Sequence, residues 1–90
     1  VVSHAGDGNT HPIVIFDGSD RDQTDRAQRA FDEIMALGLE LGGTITGEHG
    51  VGLLKRDWLA RELGPVALDL QRQLKAVFDP LGILNPGKMV

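Results

Sequence analysis

The three histidines of the chain, His4, His11 and His49, all fall in or beside glycine-rich segments. His4 and His11 bracket Ala5-Gly6-Asp7-Gly8-Asn9-Thr10, a dense run of turn formers. The two imidazoles therefore stand where a hairpin would leave and re-enter its turn. Directly opposed residues in an antiparallel pair have Cβ atoms about 4.5–5.5 Å apart. Two imidazoles so placed can reach one divalent ion at about 2.0–2.1 Å each. Whether both face the same side depends on register, which spacing does not fix. Two histidines need a third ligand, and in a chain without cysteine a carboxylate is the usual one. Glu48, in Gly47-Glu48-His49-Gly50, is the strongest candidate, because flanking glycines let backbone approach a ligand closely. Asp7 competes, although Asp beside Gly also serves a tight turn for local reasons. The plainer alternative is a pair of polar loop histidines bonded to backbone, and spacing alone leaves both open.

His49 follows Glu48 directly, and a glycine-flanked turn can aim both at one point. An unperturbed pKa of about 6.5 suits a histidine to accept protons at neutral pH. A cation one residue away would keep it neutral. The competing role is a hydrogen bond to a helix end. Gly47 to Gly52 lacks the Gly-Lys-Ser/Thr ending of a phosphate loop, so that chemistry is a poor match. Trp58 reads as core. Lys55-Arg56 reads as a solvated pair near enough in sequence to the loop to meet an anion.

The elements that must hold these groups follow from periodicity. Val1–Ser3 and the β-branched run Pro12–Phe16 read as two short strands of a hairpin. Ser19 or Asp20 is placed to cap a helix over Arg21–Leu41. There Ala27, Ala30, Phe31, Ile34, Met35, Leu37 and Leu41 recur every three or four residues. Arg21, Asp22, Asp25, Arg26 and Arg29 form its wet face, and Gly42-Gly43 stops it. Thr44–Thr46 reads as a third strand. A short helix from Asp57 through Leu63 breaks at Gly64-Pro65, with Pro65 opening the next helix. That helix would present Val66, Leu70, Leu74, Val77 and Phe78 on one face. Beyond Asp79-Pro80 the tail reads as irregular. The fold class is α+β, a small antiparallel sheet with two to three helices.

Ninety residues make one small domain at most, burying on folding roughly 64% of the surface its unfolded chain exposes. Hydrophobic content of 41% and charged content of 24% exclude a disordered chain. The absence of cysteine excludes disulfides, iron–sulfur clusters and thiolate zinc sites. A net charge of −4 with nine thinly spread basic residues gives no footprint for nucleic acid. No apolar run approaches a membrane span, and no signal-peptide pattern opens the chain. The first residue, Val1, is not an initiator Met, and the twelve glycines gather at 6–8, 42–52 and 82–87. Both point to a piece of a larger protein whose loops approach something closely.

Three strings in order carry a family resemblance: His4-Ala5-Gly6-Asp7-Gly8-Asn9-Thr10-His11-Pro12, then Gly42 through Gly52 around Thr46-Gly47-Glu48-His49-Gly50, then Phe78-Asp79-Pro80-Leu81-Gly82-Ile83-Leu84-Asn85-Pro86-Gly87-Lys88. Together they resemble the C-terminal end of FAD-linked 2-hydroxy-acid oxidoreductases of the vanillyl-alcohol-oxidase type. The glycolate oxidase and D-lactate dehydrogenase branch is the most similar. The resemblance spans essentially all ninety residues. It implies that His4, His11 and Glu48 bind a divalent metal, zinc or manganese first among candidates. It also implies that His49 is the base for the substrate hydroxyl and that Asn85 contacts the flavin. On this resemblance the chain is the C-terminal part of a cap region. The FAD-binding domain, and the basic residues that grip the substrate carboxylate, precede residue 1. Partners would be a small 2-hydroxy acid, that N-terminal flavin domain and electron-transfer subunits. The location would be cytoplasmic, or peripheral at the inner face of a membrane. Relatives that oxidise 2-hydroxyglutarate tend to carry Asn two residues past the second histidine. Ile13 stands there instead, which favours glycolate or D-lactate.

Two histidines and a glutamate also make a hydrolytic zinc site or the facial triad of a non-haem iron oxygenase. A non-catalytic docking module is the further alternative. The isolated segment is expected to be inactive and to expose apolar surface shaped for absent neighbours.

Overall fold

A computed structural model describes residues 1–90 throughout. The chain divides into two compact units, Val1–Leu41 and Gly42–Val90.

The first unit opens with a hairpin of two three-residue strands, β1 (Val2–His4) and β2 (Asn9–His11). They pair antiparallel with Val2 opposite His11, Ser3 opposite Thr10 and His4 opposite Asn9. The turn is made by local chemistry. The Gly8 N–H donates to the His4 carbonyl at 2.9 Å. Gly8 takes φ +78, a left-handed conformation suited to glycine. Asp7 Oδ1 accepts the Asn9 N–H at 2.9 Å, an Asx turn. Asp7 is thus engaged in making the turn.

Pairing stops at His11, so the expected second strand over Pro12–Phe16 is corrected. Pro12 has no N–H to extend a ladder. The β-branched run that follows, with Ile13 65% and Ile15 90% exposed, finds no partner strand. β-propensity describes fit to a half-buried pleated surface, and this unit supplies no such surface.

Helix α1 (Arg21–Glu40) ends within a residue of the expected bound. Asp20 is its N-cap, accepting the Gln23 backbone N–H at 3.1 Å and the Gln23 side-chain amide at 3.0 Å. Those two bonds, the backbone one first, hold the Asp20 carboxyl below its ordinary range. Ala27, Ala30, Phe31, Ile34 and Met35 are half-buried, whereas Leu37 and Leu41 are exposed. No side chain of α1 is buried.

The second unit begins with Thr44–Thr46, which is not the expected strand. Ile45 is nonetheless buried, and its N–H donates to the Glu62 carboxylate at 3.0 Å. A side chain on a helix thus supplies the acceptor that a neighbouring strand would have given. Helix α2 (Arg56–Phe78) is two helices in one span. Gly64, at φ 73 and ψ 173, interrupts the helical backbone, and Pro65 opens the second half as its sequence position suggested. Ile45, Val51, Trp58 and Leu59 are the buried apolar side chains. Trp58 also carries the Arg61 guanidinium 4.5 Å from its ring centre. The face expected on the second half of α2 is real as a pattern but not buried. Val66, Leu70, Leu74, Val77 and Phe78 are all more than half exposed. No helix is long and apolar enough to cross a membrane. The small sheet and helices make an α+β fold.

Candidate metal centre and catalytic loop

Register decides what the hairpin offers. Because side chains alternate along a strand, Val2 and His4 on β1 share a face with Asn9 and His11 on β2. His4 and His11 are therefore diagonal neighbours on one face, and the directly opposed arrangement is corrected. Their rings meet edge to face with centroids 5.3 Å apart and planes at 76°. Ser3 and Thr10 occupy the other face, where the Ser3 hydroxyl donates to Thr10 Oγ1 at 3.3 Å. The fold thus brings the two expected imidazoles together on one face of the hairpin, His4 at its turn end and His11 at its open end. This donor pair suits a borderline divalent cation.

In the second unit the loop Gly47–Gly52 carries Glu48 and His49. Thr46 Oγ1 donates to the Gly50 carbonyl at 2.8 Å and closes the turn. Gly50, at φ +74, bends the chain so that adjacent side chains converge. His49 Nε2 lies 3.8 Å from Glu48 Oε1, and both side chains are more than half exposed. A carboxylate and an imidazole thus stand side by side, both exposed.

The tail has no regular secondary structure, as expected, yet it is held by specific contacts. Asp79, beyond the end of α2, is the only buried charged residue. Its Oδ1 accepts the Ile83 N–H and its Oδ2 the Leu84 N–H, each at 3.0 Å. It also pairs with the Lys75 ammonium, which donates at 2.7 Å to the Leu84 carbonyl. The ammonium beside it, then the Leu84 and Ile83 amides, hold the Asp79 carboxyl below its ordinary range against the opposing effect of burial. Farther on, Arg56 Nη1 donates to the Gly87 carbonyl at 3.1 Å and the Met89 N–H to the Gly52 carbonyl at 3.0 Å. Asn85 sits between these ties, exposed, in a left-handed conformation at φ 48. No sequence motif singles out Asp79, and Arg56, expected as half of a solvated pair with Lys55, reaches the Gly87 carbonyl. The Lys75/Asp79 spacing of four, at a helix end, was the available signal.

A family model for the C-terminal domain of FAD linked oxidases matches residues 1–89. The chain belongs to that family. Among curated proteins it is 52% identical over 86 residues to the glycolate oxidase subunit GlcD of Bacillus subtilis, covering 96% of this chain and 18% of that protein. It is 43% identical over 90 residues to the mitochondrial D-lactate dehydrogenase [cytochrome] of Arabidopsis thaliana, covering 100% and 16%. To the probable mitochondrial D-lactate dehydrogenase of Danio rerio it is 40% identical, covering 100% and 18%. The chain thus spans under a fifth of the length of these relatives. Membership in this oxidase family agrees with the resemblance carried by the three strings.

Proposed function

We propose that these ninety residues form the metal-site and proton-transfer part of an FAD-dependent 2-hydroxy-acid dehydrogenase acting on glycolate or D-lactate. The observation that carries the reading is similarity over nearly the whole of this chain to relatives named for those two substrates. The same-face imidazoles of His4 and His11 fit a divalent cation, and Glu48 is the third ligand that the family resemblance implies. A cation held there, zinc or manganese by donor type, would supply Lewis-acid polarisation of a hydroxyl and a template for an α-hydroxy carboxylate. FAD supplies the hydride acceptor. His49 takes the hydroxyl proton on an imidazole nitrogen, and Glu48 beside it stabilises the charge that results. The exposed Asn85 amide offers both a donor and an acceptor to the flavin.

The flavin domain and the carboxylate-gripping residues lie outside this segment, so the segment alone is inactive. The intact enzyme is cytoplasmic or peripheral at the inner membrane face and passes electrons to partner subunits. The deciding experiment is the absorption spectrum of the full-length protein with and without each acid. A flavin band bleached by glycolate or D-lactate is expected. A colourless protein that hydrolyses esters or amides would replace this reading with a metal hydrolase. His4→Ala in the same protein is expected to remove most bound metal. Unchanged metal content would leave the segment as a docking module.

A further inference from the structure

We propose that Arg56 and the Lys75–Asp79 pair are positioning residues that fix the strap Ile83–Met89, and with it Asn85, to the loop that carries Glu48 and His49. The proposal deepens the reading of Asn85 as a flavin contact and rests on it for its functional consequence.

The strap is tied at both ends. Upstream, one buried carboxylate takes two consecutive amides, Ile83 and Leu84, immediately before Asn85. Lys75 closes the arrangement by reaching both Asp79 and the Leu84 carbonyl. Downstream, Arg56 takes the Gly87 carbonyl and Gly52 takes the Met89 N–H. Gly52 ends the Glu48–His49 loop, and Arg56 begins α2 four residues later. Asn85 therefore lies between anchors, in a left-handed conformation that asparagine tolerates better than most residues. A buried carboxylate with three donors is a rigid anchor, because each lost donor leaves charge unsatisfied.

The test uses the full-length flavoenzyme and two readouts. One is FAD retention, from flavin fluorescence on release. The other is hydrogen exchange in peptides covering residues 80–90. Arg56→Met is expected to weaken FAD retention about tenfold and to speed strap exchange, with Arg56→Lys returning to within about threefold of wild type. Asn85→Ala is expected to weaken retention at least as much. Adding Arg56→Met to it is expected to cost less than about twofold more, since residues acting through one another are non-additive. Asp79→Asn is expected to behave like Arg56→Met, which guards against a folding defect peculiar to one variant. Unchanged strap exchange in both Arg56→Met and Asp79→Asn would overturn the proposal, as would fully additive effects with Asn85→Ala. Faster strap exchange with Asn85→Ala neutral for FAD would support the positioning role and remove the flavin role of Asn85 alone.

Discussion

His49 and Asp79 show how placement sets the role of a titratable side chain. His49 is exposed beside a carboxylate, which suits the proton-accepting role proposed for it. In the full-length enzyme, His49→Gln is expected to lower kcat by about a hundredfold or more with flavin and metal retained. A loss below about tenfold, read in steady-state turnover, removes the base role. Asp79 is buried and spoken for. Its folded carboxyl titrates below its unfolded one, so its contribution to stability is complete above the ordinary carboxylate pKa. That contribution is lost as pH falls through the depressed folded value. Protection of the strap amides, taken relative to intrinsic exchange at each pH, is therefore expected to fall on acidification below about pH 4, and the acid-specific part should vanish in Asp79→Asn.

At the scale of elements, α1 and the break in α2 were legible because their signals are local. A cap with a glutamine three residues on, a recurring apolar stripe and a Gly-Pro pair each act within a few residues. Gly64 makes the point testable. Its φ of 73 with ψ 173 lies in a region almost closed to other residues. A Cβ there would meet nothing within 4 Å, so the penalty is backbone strain alone. Gly64→Ala is expected to cost about 1–3 kcal/mol, read as faster exchange across residues 58–70 in the full chain. The hairpin was only half legible. Turn formers announced the reversal, but β-propensity placed the second strand on Pro12–Phe16, and pairing ended at the residue before Pro12. Register then set the histidines on a diagonal, which no propensity encodes. The strand expected at Thr44–Thr46 failed because its N–H bonds to a helix carboxylate seventeen residues away, a contact only the tertiary fold supplies.

For the molecule as a whole, exposed surface is the informative quantity. A self-standing monomer of 9.7 kDa would expose about 5,100 Å², and this chain exposes 6853 Å². Only four apolar side chains are buried, while Ile15, Val66, Phe78 and Leu81 are each at least 79% exposed. The isolated segment is therefore expected to self-associate at micromolar concentration in light scattering, and Ile15→Lys with Phe78→Lys is expected to reduce this. A monodisperse, cooperatively folding segment would contradict that expectation. The unburied stripe of α1 carries the point into mutational tolerance. Leu37 and Leu41, both more than half exposed, should accept polar replacements freely when the ninety residues are expressed alone. If the remaining four-fifths of a relative-sized protein cover them, the same replacements should be selected against as strongly as changes at Trp58. A mutational scan run in both contexts would then draw the outline of the missing neighbour one position at a time.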